Sequence, residues 1–137
     1  MATAPRVMLD TNIASFIIKG PNEALRARLR ALPLTSTCIS AVTEGELRYG
    51  LAKKPEATAL REAVASFLRH VEVLPWDSAA AAAYGDLRAD LEAKGTPIDN
   101  LDTLIAAHAL ATGCTLATND KAFVRVPGLV VEDWMQP

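Results

Sequence analysis

The stretch Arg6-Val7-Met8-Leu9-Asp10-Thr11-Asn12-Ile13 decides the fold class. Residues 6–9 form a short apolar run that stops at Asp10, Thr11 and Asn12, and Ile13, Phe16 and Ile17 then recur at helical spacing. This reads as a strand running straight into a helix, with a carboxylate at the junction. Gly20, Pro21 and Asn22 end that helix.

The same alternation continues along the chain. Residues 23–32 carry Leu25, Leu29 and Leu32 on one face and arginines elsewhere, an amphipathic helix stopped by Pro33. Residues 35–39 read as a β-branched strand, Ser40 caps a helix to about Ala52, and residues 55–70 supply another with Leu60, Val64, Phe67 and Leu68 as its apolar side. Residues 71–74 are a strand. Asp77 or Ser78 opens an alanine-rich helix through Lys94, stopped by Gly95, and Asp99 opens a further one through Thr112, stopped by Gly113. Residues 115–118 and 129–131 are the last strand candidates, divided by the Asn119-Asp120 turn, a short segment with Phe123 and the Pro127-Gly128 stop.

Short strands, apolar on both faces and alternating with helices, predict an α/β protein in three α/β/α layers with a mostly parallel central sheet of about five strands. With 137 residues, 50% of them hydrophobic, the chain has material for one core and not two, so 1–137 is expected to be a single domain. The apolar stretches are broken by charge before the roughly 20 residues that span a bilayer, and Met1 to Arg6 lacks the charged start and apolar run of a secretory signal. A cytoplasmic protein is expected. Fourteen Lys+Arg against 16 Asp+Glu, a net charge of −2, argue against nucleic-acid binding by bulk positive charge. Cys38 and Cys114 have no metal-ligand spacing and read as buried free thiols.

In an open parallel sheet, ligands bind beyond the carboxyl ends of the strands, so residues just after each strand are the first to question. Asp10 and Asp120 lie there, and Glu46 and Asp102 fall in early turns of helices that begin near the same edge. Each has an ordinary alternative: Asp10 as a helix cap, Asp102 as an acid favoured by a helix dipole, Glu46 as an exposed helix residue, Asp120 as turn chemistry. Independent caps have no reason to gather at one edge, however. Clustered carboxylates repel unless a divalent cation compensates them, and oxygen-only ligands favour Mg²⁺ or Mn²⁺. Such a centre suits phosphoryl chemistry. His108 stands about 120° around its helix from Asp102 and reads as packing, and His70 ends a helix. No Gly-x-Ser-x-Gly elbow, Walker loop or Gly-x-Gly-x-x-Gly occurs.

The runs Met8-Leu9-Asp10-Thr11-Asn12, Ile39-Ser40 through Glu46-Leu47-Arg48-Tyr49-Gly50, Gly95-Thr96-Pro97-Ile98 through Asp102 and Ile105-Ala106-Ala107-His108, Thr118-Asn119-Asp120, and Pro127-Gly128-Leu129 through Glu132-Asp133-Trp134 together resemble the VapC toxins, ribonucleases of the PIN-domain superfamily. The resemblance extends from about Arg6 to Trp134. It implies a Mg²⁺-dependent endoribonuclease, with Mn²⁺ as a substitute, that forms the toxin half of a toxin–antitoxin pair and leaves a 3′-hydroxyl and a 5′-phosphate. Asp10, Glu46 and Asp102 match the family's acidic metal-site residues and Asp120 its more variable fourth acid. Thr11 and Asn12 stand where they would orient Asp10 or a water on the ion, and Glu46 rather than Glu44 directly precedes Leu47. Asp99 replaces a glycine common in relatives and reads as a helix cap or an outer carboxylate. The family further implies a VapB-type antitoxin that masks the site, homodimers that form heterotetramers or larger assemblies with it, and RNA, with tRNA as the family's guess, as substrate. Ile13, Phe16, Ile17, Leu25, Leu29, Val64, Phe67 and Leu68 are then to supply a core face and a groove for the antitoxin.

Basic residues concentrate in the first half of the chain, and Arg48, Lys53 and Lys54 are the candidates to contact RNA phosphates, against an ordinary reading as solvated helix faces. Two alternatives remain. A phosphorelay receiver needs an acidic pair after its first strand and an Asp after its third, whereas Thr11-Asn12 and Pro75-Trp76 stand there. A catalytically inactive PIN-like binding domain has no need of all four acids.

Overall fold

The computed structural model describes residues 6–135; residues 1–5 and 136–137, the ends of the expected domain and the segment bearing on a signal sequence, lie outside the described residues. The chain runs β1 (Val7–Leu9), α1 (Thr11–Lys19), α2 (Glu23–Arg30), β2 (Thr37–Ser40), α3 (Ala41–Ala52), α4 (Thr58–Leu68), β3 (Glu72–Leu74), α5 (Ser78–Ala93), α6 (Asn100–Thr112), β4 (Thr115–Ala117) and β5 (Val131–Glu132), with 3-10 turns at Leu34–Ser36 and Lys121–Arg125. No helix among the described residues is long and apolar enough to cross a membrane.

The five strands form one sheet in the order β3-β2-β1-β4-β5, and every pairing is parallel. This order differs from the 2-1-3-4-5 of receiver domains, which removes that alternative. Successive strand residues point to opposite faces. Leu9, Ile39 and Ala117 therefore join Ile13, Ile17, Leu25, Leu47, Val64 and Phe67 in one core, while Met8, Cys38 and Leu116 join Leu87, Leu91, Ile105 and Phe123 in the other. Helices α1 to α4 cover the first face and α5 with α6 the second, which is the expected three-layer arrangement.

The termini of several elements differ from the sequence expectation. Strand β2 starts at Thr37 because Ser36 folds back on Pro33, its amide and hydroxyl both donating to the Pro33 carbonyl. Helix α4 starts at Thr58 because residues after Pro55 form a turn, with Ala57 N–H on Lys54 O. Strand β5 is Val131–Glu132 rather than 129–131. Gly128 at φ +81° turns the chain, and the ladder begins only where Leu116 N–H meets the Val130 carbonyl.

The order of the strands locates a functional edge. From β1 the chain builds outward through β2 and β3, then crosses back to β4 on the other side of β1. The carboxyl ends of β1 and β4 thus flank the point where the winding reverses, and a crevice opens there in folds of this kind. Asp10 follows β1 directly, and Thr118 follows β4.

Candidate active site

Asp10 is 3% exposed and carries two roles. Its Oδ1 caps α1 by accepting from Ile13 N–H at 2.8 Å, and its Oδ2 accepts the Thr118 hydroxyl. The Thr118 oxygen in turn accepts the Asp120 N–H at 3.0 Å, so this buried threonine joins the ends of β1 and β4. Asp120 caps the next turn through Ala122 N–H at 2.9 Å. Burial pushes the Asp10 carboxyl above its ordinary range, with Asp120 and Glu46 adding repulsion, while the hydrogen bonds from Thr118 and Ile13 oppose the shift.

Glu46 lies two turns into α3, whose N-terminus Ser40 caps by accepting Val42 N–H. Its Oε1 accepts the Thr11 hydroxyl at 2.7 Å, and Thr11 Oγ1 is also 3.1 Å from Thr43 Oγ1. Because the single Thr11 proton is given to Glu46, Thr43 is the donor in the second contact, and the two hydroxyls form a chain ending on the carboxylate. Thr11 therefore orients Glu46 rather than Asp10, and Asn12 is exposed. Glu44 instead pairs with Arg48, at 2.8 Å.

Asp102 sits in the first turn of α6, which Asp99 caps by accepting Leu101 N–H at 2.9 Å. The cap reading of Asp99 is correct. Asp99 is also the strongest charge acting on Asp102, whose pKa is raised to about 6 by burial first and then by Asp99, Asp120, Asp10 and Glu46. The four sequence-predicted acids therefore share one electrostatic neighbourhood. Among the described residues, no three His, Cys, Asp or Glu side chains already stand as an ion cage. His108 belongs elsewhere: it is buried, with Nδ1 2.7 Å from Ser40 Oγ, and burial lowers its pKa.

Thr43 and Thr118 escaped the choice of site residues made from sequence. Thr118 carried a signal, a hydroxyl directly after a strand at the functional edge; Thr43 carried none, because only α3 packing beside α1 brings it to Thr11. Next to Glu46 and Thr11 a cavity of about 110 Å³ opens, with Lys53 and Lys54 on its walls. A larger cleft of about 270 Å³ lies between α1, α2 and α4, lined by Ile17, Leu29 and Phe67 together with Arg26 and Arg30. Of the residues expected to supply a core face and a groove, Ile17 and Phe67 serve both, Val64 lies in the core and lines the smaller cavity, and Ile13 and Leu25 are wholly in the core.

Comparison with known proteins matches residues 7–129 to the PIN domain. The tRNA(fMet)-specific endonuclease VapC of Salmonella typhimurium is 40% identical over 130 residues, covering 94% of this chain and 98% of its own. Among solved structures, DNA-bound VapBC from Salmonella typhimurium aligns with a TM-score of 0.88 at 40% identity, covering 96% of this chain and 99% of that one. VapBC2 from Rickettsia felis, bound to a promoter DNA fragment, aligns with a TM-score of 0.86 at 35% identity over 92% and 96% of the two chains.

Proposed function

Since the chain belongs to the PIN-domain family and to its VapC ribonucleases, we propose that it hydrolyses RNA phosphodiester bonds at Asp10, Glu46, Asp102 and Asp120 as the toxin of a VapBC-type pair. What supports this assignment of the site is one observation: Thr118 joins Asp10 to the Asp120 amide at the edge where the winding reverses, and there the half-buried Asp102 is pushed to about pKa 6 by burial first and then by the charges of Asp99, Asp120, Asp10 and Glu46. A fold that concentrates uncompensated negative charge at its ligand-binding edge has made a place for a cation.

The donor set fits Mg²⁺ or Mn²⁺, since it consists of carboxylate oxygens with no thiol or imidazole among them. Asp10 and Asp102 would hold the ion, with Glu46 and Asp120 beside them, and it would neutralise the phosphodiester oxygens and acidify the attacking water. The protein's own groups do the rest. Thr118 and the Ile13 N–H fix the Asp10 carboxylate through Oδ2 and Oδ1, and each oxygen keeps acceptor capacity for an ion. Thr11 holds Glu46 through Oε1, which leaves Oε2 free to position or deprotonate the attacking water. Cleavage leaves a 3′-hydroxyl and a 5′-phosphate.

A VapB-type antitoxin is the partner, and the cleft between α1, α2 and α4 is its seat, where an apolar helix face covers Ile17, Leu29 and Phe67. The chain works in the cytoplasm as one domain, with tRNA as substrate, and assembles as a homodimer that becomes a heterotetramer or larger with the antitoxin. The test is cleavage of total cellular RNA by the purified, antitoxin-free protein in Mg²⁺ or Mn²⁺, against EDTA and against Asp10→Asn. Discrete products lost in both controls, by about 100-fold or more, are expected. A folded protein that binds no metal by calorimetry and cuts nothing returns it to the class of inactive binding domains.

A further inference from the structure

The cavity beside Glu46 has a chemistry that the four acids do not use. One wall is Glu46 itself; Leu60 and Val64 of α4 contribute an apolar side, and Lys19, Lys53 and Lys54 are also in the lining. Lys19 comes from the last turn of α1, whereas Lys53 and Lys54 follow α3. A cation suits the carboxyl end of any helix, which accounts for each lysine singly but not for three lysines lining one cavity.

These lysines are also among the basic residues that no carboxylate neutralises. Arg6, Arg26, Arg30, Arg48, Arg88 and Lys94 each meet a carboxylate within 4.0 Å. Among the described residues, no acid stands within that distance of Lys19, Lys53 or Lys54. Three lysines without a carboxylate partner therefore line a cavity that Glu46 walls on one side. The acids repel a polyanion, and the lysines supply the attraction that a chain of net charge −2 otherwise lacks.

The dimensions narrow the occupant. About 110 Å³ holds several waters and falls short of the roughly 300 Å³ at which ligand cavities begin, so a phosphate with the edge of its sugar fits and a base does not. Tyr49 stands outside the lining, beside Lys53. It is 63% exposed, one turn along α3 from Glu46, and Lys53 Nζ sits 4.5 Å from its ring centroid, which ties the ring to the cavity. An exposed ring of this kind stacks on any base.

Resting on the ribonuclease reading, we propose that the Lys19–Lys53–Lys54 cavity is the subsite for the phosphodiester next to the one being cut, with Tyr49 as the platform for that nucleotide's base. The subsite grips an extended single strand through backbone and stacking, and it has no hydrogen-bonding code for base identity. Sequence preference at that nucleotide is correspondingly weak.

The experiment uses the full chain bearing Asp10→Asn, so that RNA is not consumed, and a fluorescein-labelled random single-stranded RNA 12-mer read by anisotropy at a series of salt concentrations. Adding Lys53→Ala with Lys54→Ala is expected to weaken binding and to flatten the log–log salt dependence by about 0.7 for each phosphate contact removed. Tyr49→Ala is expected to weaken binding about 5- to 100-fold at unchanged slope, and Tyr49→Phe to restore it. Lys94→Ala, whose ammonium is already paired with Asp90, is the control. In the cleaving chain the lysine substitutions raise KM and spare kcat. Lysine variants with unaltered affinity and slope overturn the subsite, as does a loss confined to an acidic peptide competitor while RNA binding persists. If those variants still cut RNA normally, the ribonuclease reading survives alone; if the unsubstituted chain neither binds nor cuts RNA, both fall.

Discussion

Thr118 shows how much one hydroxyl can organise. It donates to Asp10 and accepts from the Asp120 amide, so Thr118→Val strands a buried carboxylate oxygen and a backbone N–H at once. Loss of about 1–3 kcal/mol of stability and a 10- to 100-fold fall in cleavage are expected, with Thr118→Ser retaining both; chemical denaturation beside an RNA cleavage assay checks this. Asp102 makes a pH prediction. Its carboxyl titrates near 6 in the folded chain against an ordinary value of 3.8, so the folded state binds the proton more tightly than the unfolded one. The cost of burying this charge beside other acids is absent at low pH, grows as pH rises between those values and is constant above. Asp102→Asn should therefore raise the melting temperature of the protein in EDTA at pH 7 but not near pH 3, and a gain independent of pH would contradict this origin. That Asp10, Glu46, Asp102 and Asp120 share one neighbourhood was legible, because two of them follow strands and the other two lie in early turns of helices that begin near the same edge. Thr43 and Lys19 were not, since a lone threonine in a helix and a lone lysine at a helix end are ordinary, and only tertiary packing gives them partners.

At the scale of elements, α6 carries the most structural weight. It is buried at Thr103, Ile105, Ala106, Ala107, His108 and Ala109, packs along α5, and presents Asp102 from its first turn. Leu91 on α5 is 1% exposed in the same core. Leu91→Ala is expected to cost about 2–5 kcal/mol, measured by urea unfolding, because the rigid sheet behind it cannot collapse into the cavity. Gly113 ends α6 in the left-handed region at φ +71°, with nothing near its absent Cβ, so Gly113→Ala costs about 1 kcal/mol through backbone strain alone. Helix existence was readable from caps and glycines: Asp77, Asp99 and Gly113 stand where punctuation demanded. The ends of α4 and β5 were not, because local turns after Pro55 and Pro127 take residues whose hydropathy suits the neighbouring element.

For the molecule as a whole, the strand order settles relations that distance along the chain conceals. Cys38 on β2 and Cys114 before β4 bring their sulfurs to 3.8 Å, and their contact and burial push the Cys38 thiol up. Strand β1 lies between them, however, which places their backbones about 9–10 Å apart, beyond the roughly 7 Å a disulfide tolerates. The melting temperature should be the same with and without dithiothreitol, and a drop on reduction would refute the spacing argument. No pattern in the sequence disclosed this pair, since parallel neighbours are chosen by the winding of the sheet and not by proximity in the chain. The same winding bears on synthesis. Asp10 and Thr118 are 108 residues apart, so at ribosomal speeds the first waits roughly 5–20 s for the second to be made. On the proposed site, a growing chain is unarmed until its last strands emerge, which leaves the cell that interval to have antitoxin at hand.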